Sequence, residues 1–194
     1  MSTKYEITSS TKTAVGRELH QIRALRDIPR HGVKAGDLGG WVESEKNLSQ
    51  DGDAWIGGNA SVWGNARVGG NASVWGNARV WDDARVGDDA SVWGNAEILR
   101  TQHILTVGPV GSENQTFTIY RTTDGGHHVI VGCWGPGTLT DLAAEVQRRK
   151  REHWGGQSEA EIGRWEAQYR GAIILGEAMA ESWAAEHAAK VAAK

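Results

Sequence analysis

The chain has 194 residues, room for one full domain or two small ones, and 21 basic against 24 acidic residues leave a net charge of −3. No global positive field draws it to nucleic acid, and its single cysteine excludes an intrachain disulfide framework. No Cys/His cluster has structural-zinc spacing, so neither a metal nor another cofactor is expected. The first 30 residues lack an apolar run of signal-peptide length and no stretch approaches 18 apolar residues. A cytoplasmic protein with no membrane partner is the expectation. Ten Trp and 26 Gly beside one Phe mark an interior that is not packed in the ordinary way.

Three regions are expected: residues 1–46 as an N-terminal β cap and lead-in, 47–107 as a repeat solenoid, and 108–194 as a small α+β domain. Strands are predicted at Tyr5–Ser9 and Glu18–Leu25, followed by a Gly-rich stretch. From Trp41 to Gly52 a six-residue pattern is present but slipped, with Val42 and Leu48 in its second position and polar Ser44 and Gln50 in its fourth. Such a segment suits the end of a solenoid.

From Asp53 to Arg100 the sequence divides into eight uninterrupted hexads: DAWIGG, NASVWG, NARVGG, NASVWG, NARVWD, DARVGD, DASVWG and NAEILR. Position 1 is Asn or Asp, position 2 Ala, and position 4 Val or Ile. Positions 2 and 4 point to one face of an extended strand, and a small residue beside a β-branched one fits a narrow interior. The Gly-Asn, Gly-Asp and Asp-Asp junctions tolerate positive φ, which a sharp corner every six residues requires. Positions 3 and 5 then point outward.

These hexads resemble the repeats of left-handed β-helix hexapeptide proteins, in which three hexads close one coil, and the resemblance implies that residues 18 apart stack at the parallel-strand spacing of about 4.8 Å. One outward face then carries Trp55, Trp75 and Trp93, and a second carries Trp63, Arg79, Trp81 and Leu99. The third carries Arg67 with Gly69, Arg85 with Gly87, then His103. Trp75 is expected on Trp93, Trp63 on Trp81 and Arg67 on Arg85. Exposed Trp rows usually mark an interface, so the favoured reading is packing on the C-terminal domain or on sister subunits, with a homo-oligomer expected; the resemblance to hexapeptide proteins, among which trimers are frequent, implies a trimer in particular. The sharper reading is a ligand platform, in which Trp faces meet bases and Arg meets phosphate or carboxylate. The candidate residues are Trp55, Trp63, Trp75, Trp81, Trp93, Arg67, Arg79 and Arg85. The hexads contain no Thr, which sets an ice-binding face aside.

After the repeat, His103–Val107 is expected to continue the last coil. Thr116–Thr122 and His127–Cys133 flank Asp124-Gly125-Gly126, a hairpin signal. Thr138 with Asp141 starts a helix to about His153, and Ser158 with Glu161 is a capping box for a second. The second helix has an apolar stripe through Ile162, Trp165, Tyr169, Ile173, Gly176 and Trp183, and its Ala/Lys-rich end has little to bury and is expected to fray. The tail reads as a ββαα unit.

Hexads with an aliphatic residue every six positions and a small residue two before it resemble the repeats of left-handed β-helix hexapeptide proteins. The resemblance implies a mainly β fold, a left-handed parallel β-helix. Glu18–Trp55 (ELHQIRALRDIPRHGVKAGDLGGWVESEKNLSQDGDAW) is similar to openings of phage and prophage proteins with long N-A-x-V repeats, and Phe117–Leu139 resembles a module that follows such repeats. Acyltransferases of the hexapeptide type use a histidine base and an extruded loop, but no hexad here contains His and no insertion breaks the repeat.

Other chemistry fares no better. Cys133 lies on one strand face with His127, but at the far end of it, so a nucleophile–base pair is not expected and a half-buried structural Cys is. Arg148, Arg149, Lys150 and Arg151 form the one dense positive run. It could meet nucleic acid or an acidic protein, but the solvated C-terminal end of a helix is the favoured reading, and nucleic acid is not expected as a partner. Asp82-Asp83 and Asp88-Asp89 are read as corner residues and not as a cation site.

No catalytic constellation survives. The expected class is a non-enzymatic binding protein of phage or prophage type in the bacterial host cytoplasm, presenting a rigid Trp/Arg surface to a host protein, for instance as a counter-defence inhibitor. The alternatives are an oligomeric sponge holding a nucleotide-like ligand between subunits, and a purely structural scaffold.

Overall fold

Every hexad from Asp53 to Arg100 contributes one two-residue strand in the computed structural model, which describes residues 3–193. The N-terminal strands are β1 (Tyr5–Ala14), β2 (Arg17–Ala24) and β3 (Leu38–Val42). The hexad strands are β4 (Trp55–Ile56), β5 (Ser61–Val62), β6 (Arg67–Val68), β7 (Ser73–Val74), β8 (Arg79–Val80), β9 (Arg85–Val86), β10 (Ser91–Val92) and β11 (Glu97–Ile98). Strands three hexads apart pair in parallel, which gives the columns β4-β7-β10, β5-β8-β11 and β6-β9 of a β-solenoid with about three turns. The registers Trp55↔Ser73↔Ser91, Ser61↔Arg79↔Glu97 and Arg67↔Arg85 all step by 18 residues, three hexads per coil.

The interior follows directly. All sixteen position-2 and position-4 side chains are at most 1% exposed, Ala alternating with Val or Ile. At the corners, position 6 has positive φ, with Gly at 58, 64, 70, 76 and 94 and Asp at 82 and 88. Gly70 shows why the corner selects against a side chain: a Cβ there would lie 2.8 Å from the amide nitrogen of Asp88 in the next coil. Position 1 forms ladders between coils, the amides of Asn59, Asn65 and Asn71 donating to Asn77, Asp83 and Asp89, each at 3.1 Å.

The inter-coil hydrogen bonds have one polarity. The N–H groups of Trp55, Ser61 and Arg67 donate to the carbonyls of Ala72, Ala78 and Ala84, each at 2.9 Å. Some first-coil carbonyls are served by the backbone of the preceding segment, the N–H groups of Trp41, Glu43 and Ser49 donating to Ala60, Val62 and Val68, and side chains serve other acceptors in and just before that coil. Lys4 Nζ donates to Ala54 O at 2.7 Å, Tyr5 Oη to Leu48 O at 2.8 Å, Arg26 to Gly52 O at 2.8 Å, and Asn47 Nδ2 to Ala66 O at 2.9 Å. At the other end a ring nitrogen, Nδ1 of His103, accepts from Leu99 N–H at 3.3 Å.

The slipped segment is in a different register from the one its pattern suggests. Val42 pairs with Val62 and Leu48 with Val68, so both occupy the fourth position. They lie 20 residues from their partners instead of 18 because two extra residues precede Ile56. The extra length lets Gln50 reach the first strand, its Oε1 accepting from Lys4 N–H at 2.8 Å and its Nε2 donating to Tyr5 O at 3.1 Å. The predicted N-terminal strands are present and longer, β1 and β2 pairing antiparallel and β2 pairing with β3. Gly39 and Gly40 allow β3 to lie close to the coil, since a Cβ at Gly40 would sit 2.7 Å from Ala60 O.

One compact unit ends at Ile104 and a second begins at Leu105. The last coil does not continue through His103–Val107: residues 101–103 form a 3-10 turn, His103 is buried, and Ile104–Val110 is β12 of another sheet. That sheet runs β12-β13-β14-β15, with β13 at Gln115–Arg121, β14 at His127–Val131 and β15 at Trp134–Gly137. The expected ββαα unit thus gains two strands, both at sheet edges, where Pro109 and Pro136 need donate no ladder bond.

Helix α1 (Leu139–Glu152) is capped by Thr138 and α2 (Glu159–Ala192) by Ser158, at the predicted capping boxes. α2 continues past Trp183 to Ala192. The second core joins Phe117, Ile119 and Val129 of the sheet to Leu142, Trp154, Trp165, Tyr169 and Trp183. Gly176 lets α2 lie close, its missing Cβ being 2.9 Å from Leu139. Among the described residues no helix is long and apolar enough to cross a membrane.

Candidate binding surfaces

The expected row of exposed tryptophans is largely occupied within the chain. Trp55 is 1% and Trp63 5% exposed, so neither can be offered to a partner. Glycines make room for the rings: Gly39 of β3, in the neighbouring column, lies beside Trp55, and Gly57 lies against the ring of Trp75. Trp63 and Trp81 stack as the 18-residue coil requires, with centroids 4.8 Å apart and planes 5° from parallel. Trp75 and Trp81 are half-buried, and Trp93 is 44% exposed. A further tryptophan belongs to the first unit's surface: Lys12 Nζ lies 4.7 Å from the ring centroid of Trp41 and also donates to Asn59 Oδ1 at 2.8 Å.

The arginines differ among themselves. Arg79 lies in register between Ser61 and Glu97, and its charge adds to burial in lowering the pKa of Lys12. Arg67 and Arg85 lie in register on the third face and are both exposed. Among the described residues no ion pair or side-chain hydrogen bond engages either of them. A Cβ at Gly87 would meet nothing within 4 Å, so the surface beside Arg85 is a bare shelf. The column is a pair of like charges one strand spacing apart with no internal counter-charge.

The acidic corners are turn chemistry. Asp82 and Asp88 have φ of 54° and 52°, Asp83 and Asp89 accept from Asn65 and Asn71, and Asp89 also pairs with Arg30 at 2.7 Å. Among the described residues no group of three His, Cys, Asp or Glu is placed to hold a metal.

The basic run of α1 is mostly neutralised on the spot. Glu145 accepts from Arg148 at 2.7 and 2.8 Å and from Arg149 at 2.8 Å, and the first of these guanidiniums draws its carboxyl down to about 2. Glu152 takes a further bond from Arg148 at 2.7 Å, and Lys150 pairs with Glu166 at 3.0 Å. Arg151 is exposed. The spacing of Glu145 to Arg148 and Arg149, three and four residues, carried this signal in the sequence. A cleft of about 450 Å³ beside the network is lined by Glu113, Arg149, His153, Trp154 and Trp165 among others.

Cys133 is exposed, not half-buried, because β14 ends at Val131 and Gly132 turns the chain with φ 58°. His127 is engaged elsewhere, its Nε2 accepting from Leu139 N–H at the start of α1, at 3.2 Å. Burial, and then the neighbouring His128, hold its pKa below the ordinary histidine value. The buried donors Lys4 and Asn47 had no sequence signal beyond their place before the repeat. A scan against protein-family models and a search of curated proteins returned no match to the chain.

Proposed function

We propose that the chain is a non-enzymatic binding protein that presents the third face of a left-handed β-helix, capped by its N-terminal strands, to an acidic surface on a host protein. The observation that carries this reading is the Arg67–Arg85 column, exposed, in register and without an internal partner beside the Gly87 shelf. Two guanidiniums fixed on adjacent rungs cost self-repulsion in the free protein, and a carboxylate pair on a partner would relieve it. The backbone rungs are held in register, so binding has only the two arginine side chains to order. The resemblance of the repeat and its flanks to phage and prophage proteins supports a bacterial host target, and a counter-defence inhibitor fits that setting.

The test compares partner capture from bacterial lysate by the wild-type chain and by Arg67→Glu/Arg85→Glu. A host protein retained by the first, lost by the second and released by salt supports the reading. An identical set of captured proteins overturns it. Native mass spectrometry of the gently purified protein supplies the second arm. A retained nucleotide-sized mass would replace this reading with sequestration of a small ligand.

A further inference from the structure

Helix α2 has a face that its own unit does not use. Trp165, Tyr169, Ala172, Gly176 and Trp183 are buried, while Ile174 and Leu175 are 58% and 52% exposed. Beside Ile174 a groove of about 670 Å³ runs between α1 and α2, its floor including Val146, Tyr169 and Ile173 and its rim Arg170 and Glu177. A Cβ at Gly163, which lines this groove, would meet nothing within 4 Å, so a second helix can approach the backbone closely there.

The charges choose the occupant. Arg170 lies three residues before Ile173 and Glu177 three after Ile174. On one helix they are about 10 Å apart along the axis, too far to pair, and among the described residues neither has an ion-pair partner. Glu166, the other acid on the rim, is already held by Lys150 at 3.0 Å. The pattern is self-complementary under reversal of direction.

We propose that α2 pairs antiparallel with α2 of a second copy of this chain, about a two-fold axis midway between Ile173 and Ile174. This pairing sets Arg170 of each copy opposite Glu177 of the other and covers the exposed Ile174, which shares their helix face. An isologous contact of this kind closes on itself, so the assembly has two copies. It lies in the second unit and does not depend on the Arg67–Arg85 face.

Analytical ultracentrifugation of the full chain tests it. The wild type is expected at twice the chain mass, and Ile174→Glu, Arg170→Glu and Glu177→Arg at the chain mass, each with unchanged helical circular dichroism. The double reversal Arg170→Glu/Glu177→Arg restores both cross-pairs and is expected to recover the dimer. Arg67→Glu/Arg85→Glu should leave the mass unchanged. A monomeric or trimeric wild type, a dimer insensitive to Ile174→Glu, or failure of the double reversal to recover the dimer overturns the proposal.

Discussion

Lys4 Nζ donates to the carbonyl of Ala54 at 2.7 Å, a fully buried amine at the open carbonyl edge of the first coil. Burial, and then the nearby charge of Arg26, lower its pKa to about 8. The unfolded chain holds that proton up to the ordinary lysine range, near 10.4. Between the two values the unfolded state binds more protons, so stability rises with pH. Tyr5, raised to about 12 by burial and then Glu45, opposes this only above pH 10. Denaturant unfolding between pH 8 and 10 should therefore show wild-type stability increasing. Lys4→Met should show a smaller increase, since the lowered Lys12 keeps a slope of the same sign, and should lose about 1–2 kcal/mol at pH 9 through the unserved carbonyl. Parallel pH profiles for the two proteins would disprove this role.

The solenoid's outward residues separate into packing and surface groups. Trp63 is 5% exposed and stacked on Trp81, so Trp63→Ala should cost about 3–5 kcal/mol. Arg67→Ala removes an exposed side chain whose charge faces Arg85, and should stay within about 0.5 kcal/mol of wild type. Urea titrations of both variants check the contrast. Equal losses would mean that the third face also contributes to folding.

The corner glycines give a sharper contrast. Gly70 has φ 62°, and a Cβ there would lie 2.8 and 2.9 Å from backbone atoms of Asp88. Gly87 has open space and lies outside the positive-φ set. Gly70→Ala should cost about 2 kcal/mol or more, since the left-handed conformation alone costs roughly 1–2 kcal/mol for a residue with a Cβ. Gly87→Ala should be close to neutral. A thermal melt of each decides, and a tolerated Gly70→Ala would mean that the coils can slide apart locally.

These corners also show what was legible in the sequence. Each hexad position has one job, so the buried Ala/Val interior and the positive-φ corners could be read from residue type, while the closing of three hexads into one 18-residue coil came from the resemblance to hexapeptide repeats. The flanks lack that redundancy. An apolar residue at every sixth position fits position 2 as well as position 4, and the choice for Val42 and Leu48 was settled by their register partners, Val62 and Val68, whose carbonyls the next residues Glu43 and Ser49 serve. Strands β12 and β15 were hidden because Pro109 and Pro136 argue against a strand until the strand is known to be at an edge. Trp55 reads as outward, and it is; what covers it comes from Gly39, far away in sequence. The charge of Arg148 and Arg149 reads as a patch until Glu145 is counted on the same helix face.

His127 ties the second sheet to the start of α1. Its Nε2 accepts from Leu139 N–H only while the ring is neutral, and an imidazolium there would also oppose the positive end of the helix dipole. Burial, and then His128, depress its pKa. The unfolded chain takes up the proton near pH 6.5, whereas the folded chain resists until a lower pH. Stability contributed by the neutral ring is therefore complete above that range and falls as the pH drops through it. His31, also depressed by burial, adds a slope of the same sign, so the test is a difference between proteins. His127→Gln keeps an acceptor at the same reach and cannot titrate. Its unfolding free energy should match wild type near pH 7.5 and exceed it near pH 5, where protonation of the wild-type imidazole favours the unfolded chain. Identical pH slopes for the two would remove His127 from the account and leave the acid sensitivity to His31.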